Sequence, residues 1–208
     1  MTKKILCASL AALAASVAMA PAAHAESKFV TGTASPLTAS ASLDFTITIP
    51  KFVYIRVGTG TNVANNTNVD SLVFSVPAAN VGDGTSIAGT GGDLTGGVVT
   101  ARVTGNNGTI AFSSTTAGAL GNGGGDTISW SQMNVAVATN TSTTALAHPT
   151  LADNSTTSIN LTPTSGTKVT NLDAKWTFSY KNSNIVAAGT YGGVNTNNGR
   201  VTYAVSMP

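Results

Sequence analysis

Between Thr38 and Ile49 the chain reads TASASLDFTITI, and apolar and polar residues alternate there without a break. Ala39, Ala41, Leu43, Phe45, Ile47 and Ile49 share one parity, while Thr38, Ser40, Ser42, Asp44, Thr46 and Thr48 share the other. Successive side chains of a strand point to opposite faces, so this alternation predicts a long β-strand with one buried face. Such a strand is the natural spine of a β-sandwich. The rest of the chain supplies shorter pieces of the same kind, separated by turns of Gly, Asn and Thr.

What precedes the strand reads as a leader. Lys3 and Lys4 form a basic start, an apolar run follows from Ile5 to Ala20, and Ala23-His24-Ala25 supplies small residues around a cleavage site before Glu26. Pro21 ends the apolar run early, short of the roughly 20 residues a membrane span needs. Residues 1–25 are therefore expected to be a cleaved secretory signal and residues 26–208 a single domain, with no transmembrane segment in the mature chain. Residues 26–37, small and polar, read as an extended N-terminal arm.

Processing at that site changes the charge balance. Of 10 Lys+Arg and 8 Asp+Glu, only Lys3 and Lys4 leave with the signal, so the mature chain is formally neutral at 8 against 8. A chain without a basic stripe cannot neutralise phosphates, which excludes nucleic acid as the expected partner. Cys7, the only cysteine, leaves as well, so stability is expected from burial rather than from an internal disulfide. Low charge alone would suit disorder, but the recurring β-branched and aromatic residues in alternating runs argue for a packed core.

Further alternating runs follow Pro50, where a bulge or edge is expected. Val53, Ile55 and Val57 keep the odd parity, with Phe52, Tyr54 and Arg56 on the other face. Leu72, Phe74 and Val76 form another run. Val99, Ala101 and Val103, then Asn106-Asn107-Gly108, then Ile110 and Phe112 predict a β-hairpin, because Asn-Gly readily takes the positive φ angles of a tight turn. Ile128 and Trp130 share a parity that Met133, Val135 and Val137 do not, so a register change lies between them. Ile159 and Leu161 form a short strand before Pro163. Trp176, Phe178 and Tyr180 oppose Lys175, Thr177 and Ser179 in a strand within Lys168–Tyr180. Ile185–Ala188 reads as a short strand. Val201, Tyr203, Val205 and Met207 alternate to the end. The expected core includes Leu43, Phe45, Ile47, Ile49, Phe112, Trp130, Trp176, Phe178, Val201 and Tyr203.

Chemistry is sparse. His148, before Pro149 in a polar loop, is the one histidine after the leader and reads as a solvated side chain rather than a base. Gly121–Ile128 overlaps a calcium-binding nonapeptide pattern, but a single copy has no stacked neighbour to complete a cation cage. The glycine-rich stretches near Asp83 and Asp93 open no helix and so form no phosphate loop. Trp130 and Trp176 lie in alternating runs and read as core residues rather than sugar platforms. Neither a catalytic group, a metal nor a cofactor is expected, and the chain is not read as an enzyme.

The end of the chain carries a family likeness. Ala187-Ala188-Gly189-Thr190-Tyr191-Gly192-Gly193, followed by Arg200-Val201-Thr202-Tyr203-Ala204-Val205-Ser206, resembles the end of bacterial pilin-like subunits, where a Gly-x-Tyr turn enters a final alternating strand. The leader, the polar arm and the long alternating strand are similar to the plan of chaperone–usher fimbrial subunits. The chain departs from them in lacking a cysteine pair, in the added turn Asn195–Gly199 and in ending Met207-Pro208.

The resemblance implies an all-β, antiparallel, immunoglobulin-like or pilin-like β-sandwich, acting as an exported subunit of a fimbria or coat in the periplasm, at the cell surface or outside the cell. It implies assembly by β-strand complementation, with Ala39, Ala41, Leu43, Phe45, Ile47, Ile49, Val201, Tyr203 and Val205 on the assembling strands. The partners would be copies of itself or related subunits and a periplasmic chaperone. The alternative is a secreted binding module that recognises a glycan or surface protein through its loops.

Overall fold

The computed structural model describes residues 26–163 and 167–208; the expected leader lies outside them. The chain divides at the Ile49–Pro50 bond into two units.

The second unit is an antiparallel β-sandwich. Its strands are β1 (Val53–Val57), β2 (Leu72–Val73), β3 (Ile87–Ala88), β4 (Thr90–Gly91), β5 (Val98–Gly105), β6 (Ile110–Thr116), β7 (Leu120–Gly121), β8 (Thr127–Ile128), β9 (Met133–Ala138), β10 (Thr156–Leu161), β11 (Thr170–Tyr180) and β12 (Val201–Ser206). One sheet runs β1–β5–β11, with β3 and β9 also paired to β11; the other runs β10–β6–β12. Two short pairs, β2 with β4 and β7 with β8, close loops.

Strand β11 organises the core. Leu172, Ala174, Trp176, Phe178 and Tyr180 are buried on one parity, as the alternation predicts. Opposite them, Ile110, Phe112 and Ser114 of β6 face inward, and the Phe112 and Trp176 rings stack with centroids 6.0 Å apart across the two sheets. Burying large side chains such as these contributes about 1.5–3 kcal/mol each, and aromatic pairing adds to it. Each buried indole nitrogen is satisfied: Trp176 Nε1 donates to the Leu146 carbonyl at 2.9 Å and Trp130 Nε1 to the Gly118 carbonyl at 2.8 Å.

Several expectations are corrected. The Thr38–Ile49 segment is not the spine of the sandwich: no residue of 26–49 lies in a strand or helix, and its apolar side chains are not in the core. Ala39 and Ala41 are exposed, and Leu43, Phe45, Ile47 and Ile49 are 71%, 83%, 84% and 76% exposed. Alternation defines two faces, but a strand also needs a ladder partner, and this segment belongs to none of the sheets.

The expected hairpin around Asn106-Asn107-Gly108 is also absent, since β5 and β6 belong to different sheets. The turn instead carries the chain from one layer to the other. Asn106 and Asn107 are not among the positive-φ residues; Gly108, at +103°, is. Val99, Ala101 and Val103 of β5 and Ile110 and Phe112 of β6 all face the shared core, an arrangement that alternation alone does not separate from a hairpin.

Trp130 lies in a 3-10 turn, Trp130–Gln132, rather than in a strand, and this turn is the register change expected before Met133. Ile185–Ala188 forms no strand, and Ile185 is 82% exposed.

Candidate functional site

The edge shared by the two sheets is the first candidate. Among the described residues, strand β1 pairs only with β5 and β12 only with β6, so each leaves one side of its backbone unpaired, and the two strands approach each other across the layers. On their inward parity, Ile55, Val57, Val201, Tyr203, Val205 and Met207 pack against the core yet remain only partly buried. The equivalent residues of the central strands, Val103, Phe112 and Trp176, are completely buried. An open apolar edge with free backbone donors and acceptors on both sides is a template for a further strand.

The chain ends that frame this edge are tied down. Asn106 Nδ2 donates to the Pro50 carbonyl at 2.8 Å, and Asn106 Oδ1 accepts from the Phe52 N–H at 2.9 Å. The β5 backbone turns away at this point, and the Asn106 amide replaces the missing ladder partner beyond Val53↔Gly105. The Pro208 carbonyl accepts from Asn107 Nδ2 at 2.6 Å and from Lys51 Nζ at 3.2 Å, which holds the end of β12 beside the start of β1.

The start of β12 is set by the glycine-rich turn that carries the pilin-like resemblance. Gly121 N–H donates to the Asn197 carbonyl at 2.9 Å, and Gly192 N–H to the Gly121 carbonyl at 2.8 Å. Asn197 and Asn198 take left-handed φ values of 46° and 58°. A Cβ on Gly199 would strike the backbone of Gly192 and Gly193, so only glycine permits this crossing.

His148 is not a solvated loop residue. Its ring is wedged edge-on against Trp176, Phe178 and Tyr203, with centroids at 4.6, 5.5 and 5.4 Å, and its Nε2 lies 2.6 Å from the Tyr203 hydroxyl. Burial disfavours the charged ring and brings its pKa down to about 4, although the hydrogen bond to the Pro149 backbone works the other way. Burial likewise pushes the Tyr203 phenol up. The pair therefore stays neutral near pH 7 and joins the loop before β10 to the open-edged β12. A lone loop histidine gives no sign of this in sequence, because the rings that enclose it lie on β11 and β12.

Elsewhere the polar groups bind one another. The Asp173 carboxylate is buried on the outer side of β11. It accepts from Thr141 N–H at 2.9 Å, Ser142 N–H at 2.8 Å, Ser142 Oγ at 2.9 Å and Thr141 Oγ1, with Arg102 Nη1 at 3.6 Å. Desolvation raises its pKa, but these hydrogen bonds outweigh it and hold the carboxyl well below the ordinary range. The open cavity beside it, about 250 Å³, is lined in part by Arg102, Thr141, Ser142 and Asp173 of this network and by Asn171, which accepts from Arg102 Nη2 at 2.7 Å.

In the Gly121–Asp126 loop, Asn122 Oδ1 accepts from the N–H groups of Gly124 and Asp126, which closes the turn on itself. No cluster of three or more His, Cys, Asp or Glu side chains suited to a metal occurs among the described residues. No helix among them is long and apolar enough to cross a membrane.

No family model, curated protein or solved structure matches this chain.

The residues singled out in sequence thus fall into two groups. Val201, Tyr203 and Val205 line the open edge, half-buried. Ala39, Ala41, Leu43, Phe45, Ile47 and Ile49 lie in the other unit, exposed and outside any sheet.

Proposed function

We propose that the chain is an exported, non-catalytic structural subunit that joins copies of itself by β-strand complementation. Segment 38–49 of one copy would supply the strand that the edge between β1 and β12 of the next copy lacks. One observation carries this reading: the most regular alternating segment of the chain has no partner strand among the described residues, and its large apolar side chains are 71–84% exposed.

Burying Leu43, Phe45, Ile47 and Ile49 in a neighbour would contribute about 1.5–3 kcal/mol per side chain. Main-chain hydrogen bonds along both free edges would add register and affinity. Those gains must offset the association entropy, about 4–15 kcal/mol. The balance suits a joint that forms between subunits and persists only when the strand is fully seated. Export through a secretory leader, and delivery to the periplasm or cell surface, belong to the same reading and rest on the sequence of residues 1–25. A periplasmic chaperone would cover the same edge before assembly.

The test uses the full chain. Phe45→Asp or Ile47→Asp should abolish concentration-dependent oligomers in size exclusion, because each places an unpaired charge in the apolar joint. Thr46→Asp and Thr48→Asp, on the other face, should leave oligomers in place. Equal behaviour at the two parities, or a strictly monomeric parent chain, would sink the proposal. The glycan-module reading draws no support from Trp130 and Trp176, which are buried with their nitrogens bound.

A further inference from the structure

Strand donation raises the question of why a segment joined directly to β1 does not fill its own edge. Only Pro50, Lys51 and Phe52 separate Ile49 from β1. A crossover into a parallel position needs about a dozen residues, so the route open to the segment is a hairpin laid antiparallel on the free side of β1.

Register then restricts the hairpin. Residues directly opposite each other in an antiparallel pair share a face. A two-residue loop would set Ile47 opposite Tyr54 and Phe45 opposite Arg56, on the outer face. A three-residue loop sets Ile49 opposite Val53, Ile47 opposite Ile55 and Phe45 opposite Val57, with the apolar side chains facing the core. Self-closure in the buried register therefore requires the chain to reverse at Pro50–Phe52. These are the residues Asn106 holds, through the Pro50 carbonyl at 2.8 Å and the Phe52 N–H at 2.9 Å. Both bonds continue the β1 ladder, and neither is compatible with a reversal centred on Lys51.

We propose that Asn106 is a positioning residue that blocks self-closure and so reserves segment 38–49 for a second copy of the chain. This inference rests on the strand-donation reading. The side-chain amide suits the task because it donates and accepts at once at the point where the β5 backbone leaves the sheet. Its action is on the choice between intramolecular and intermolecular pairing, beyond any effect on stability.

A disulfide specific to the self-closed register provides the test. In the mature chain from Glu26, which lacks Cys7, carrying Ile47→Cys and Ile55→Cys, the new cysteines are directly opposite only if the hairpin forms, at a separation a disulfide can bridge. Oxidised samples are compared with and without Asn106→Ala by intact mass under denaturing, non-reducing conditions, and by size exclusion. With Asn106 present, intramolecular disulfide should be scarce and oligomers should form. Asn106→Ala should raise the intramolecular disulfide several-fold, with a matching loss of oligomer. Asn106→Asp keeps the acceptor for Phe52 N–H and loses the donor to Pro50, so it should fall between, and it decides the matter if the alanine variant does not fold.

Unchanged disulfide and oligomer levels in the folded variants would overturn the role of Asn106 while leaving strand donation standing. Abundant self-closure with Asn106 present would overturn it too. Absence of both oligomer and intramolecular disulfide in every background would remove the strand-donation reading and this inference with it.

Discussion

Segment 38–49 and strand β11 are written in the same pattern and behave in opposite ways. Both alternate over a dozen or so residues, and both place aromatic and β-branched side chains on one parity. In β11, Trp176 is completely buried and Phe178 is 7% exposed; in the segment, Phe45 is 83% exposed. The difference lies in what each has beside it. Strand β11 lies between β5 and β9 and under Phe112 of β6, whereas the segment has no ladder partner among the described residues. Period therefore reports that a strand is two-faced, and whether its apolar face is satisfied within the chain is a separate property, set by connection length and neighbouring edges.

The sharpest way to separate the two regions is to remove an aromatic from each. Trp176→Ala should cost about 3–5 kcal/mol, since it leaves a cavity under Phe112, His148 and Tyr203 and frees the Leu146 carbonyl. Urea unfolding of the purified chain would read this as a lower midpoint. A loss below about 1 kcal/mol would mean that β11 is not the centre of the core.

Protonation tests the link between β11 and the open edge. His148 has a folded pKa of about 4 against an ordinary 6.5, so the fold favours the neutral ring. A depressed value contributes stability that is fully present above pH 6.5 and is lost as pH falls toward 4, below which the loss stops growing. The difference corresponds to about 3 kcal/mol across that window. His148→Gln should flatten the stability profile between pH 6.5 and 4. It should leave a further descent below pH 4, where Asp173, held below the ordinary carboxylate range in the fold, takes up its proton. An identical slope in both proteins would remove His148 from the account.

How much of this was legible depended on distance in the chain. The parity of β11 and of β12, the register change near Trp130 and the all-β class follow from local alternation and turn residues. Strand pairing does not, because Asn106-Asn107-Gly108 suits a hairpin and a crossing between layers equally well. His148 was unreadable for a related reason: its neighbours Trp176, Phe178 and Tyr203 arrive from strands far along the chain. The open edge had a partial signal in the alternation of Val201, Tyr203 and Val205. What makes it an edge, the absence of a second partner for β1 and for β12 among the described residues, is a property of the whole topology.

A smaller effect is expected at the hydroxyl that joins this histidine to the edge. Tyr203→Phe keeps the ring against Phe112 and Trp176 and loses only the contact with His148 Nε2 at 2.6 Å. The cost should be about 1 kcal/mol by thermal unfolding at pH 7, the usual worth of one such bond. Because the substitution leaves the apolar lining of β12 in place, oligomer formation should survive it. Loss of oligomer without loss of stability would show that the hydroxyl itself contacts the incoming strand.

The smallest stability effect should come from the segment that looks most like a core strand. Phe45→Asp in a buried strand would cost several kcal/mol, because an unpaired charge would replace a packed ring. Here the ring is 83% exposed and the backbone around it is in no sheet, so the substitution removes almost no packing from the folded chain. Measured at a dilution where the monomer dominates, the unfolding midpoint of Phe45→Asp should match that of Thr46→Asp and of the parent within about 0.5 kcal/mol. At high concentration the parent should gain stability through association while Phe45→Asp does not, because only the parent has a bound form to favour. Parity would then matter to assembly and not to folding. A drop of several kcal/mol in dilute Phe45→Asp alone would instead place the segment in its own core and return the two regions to the same behaviour.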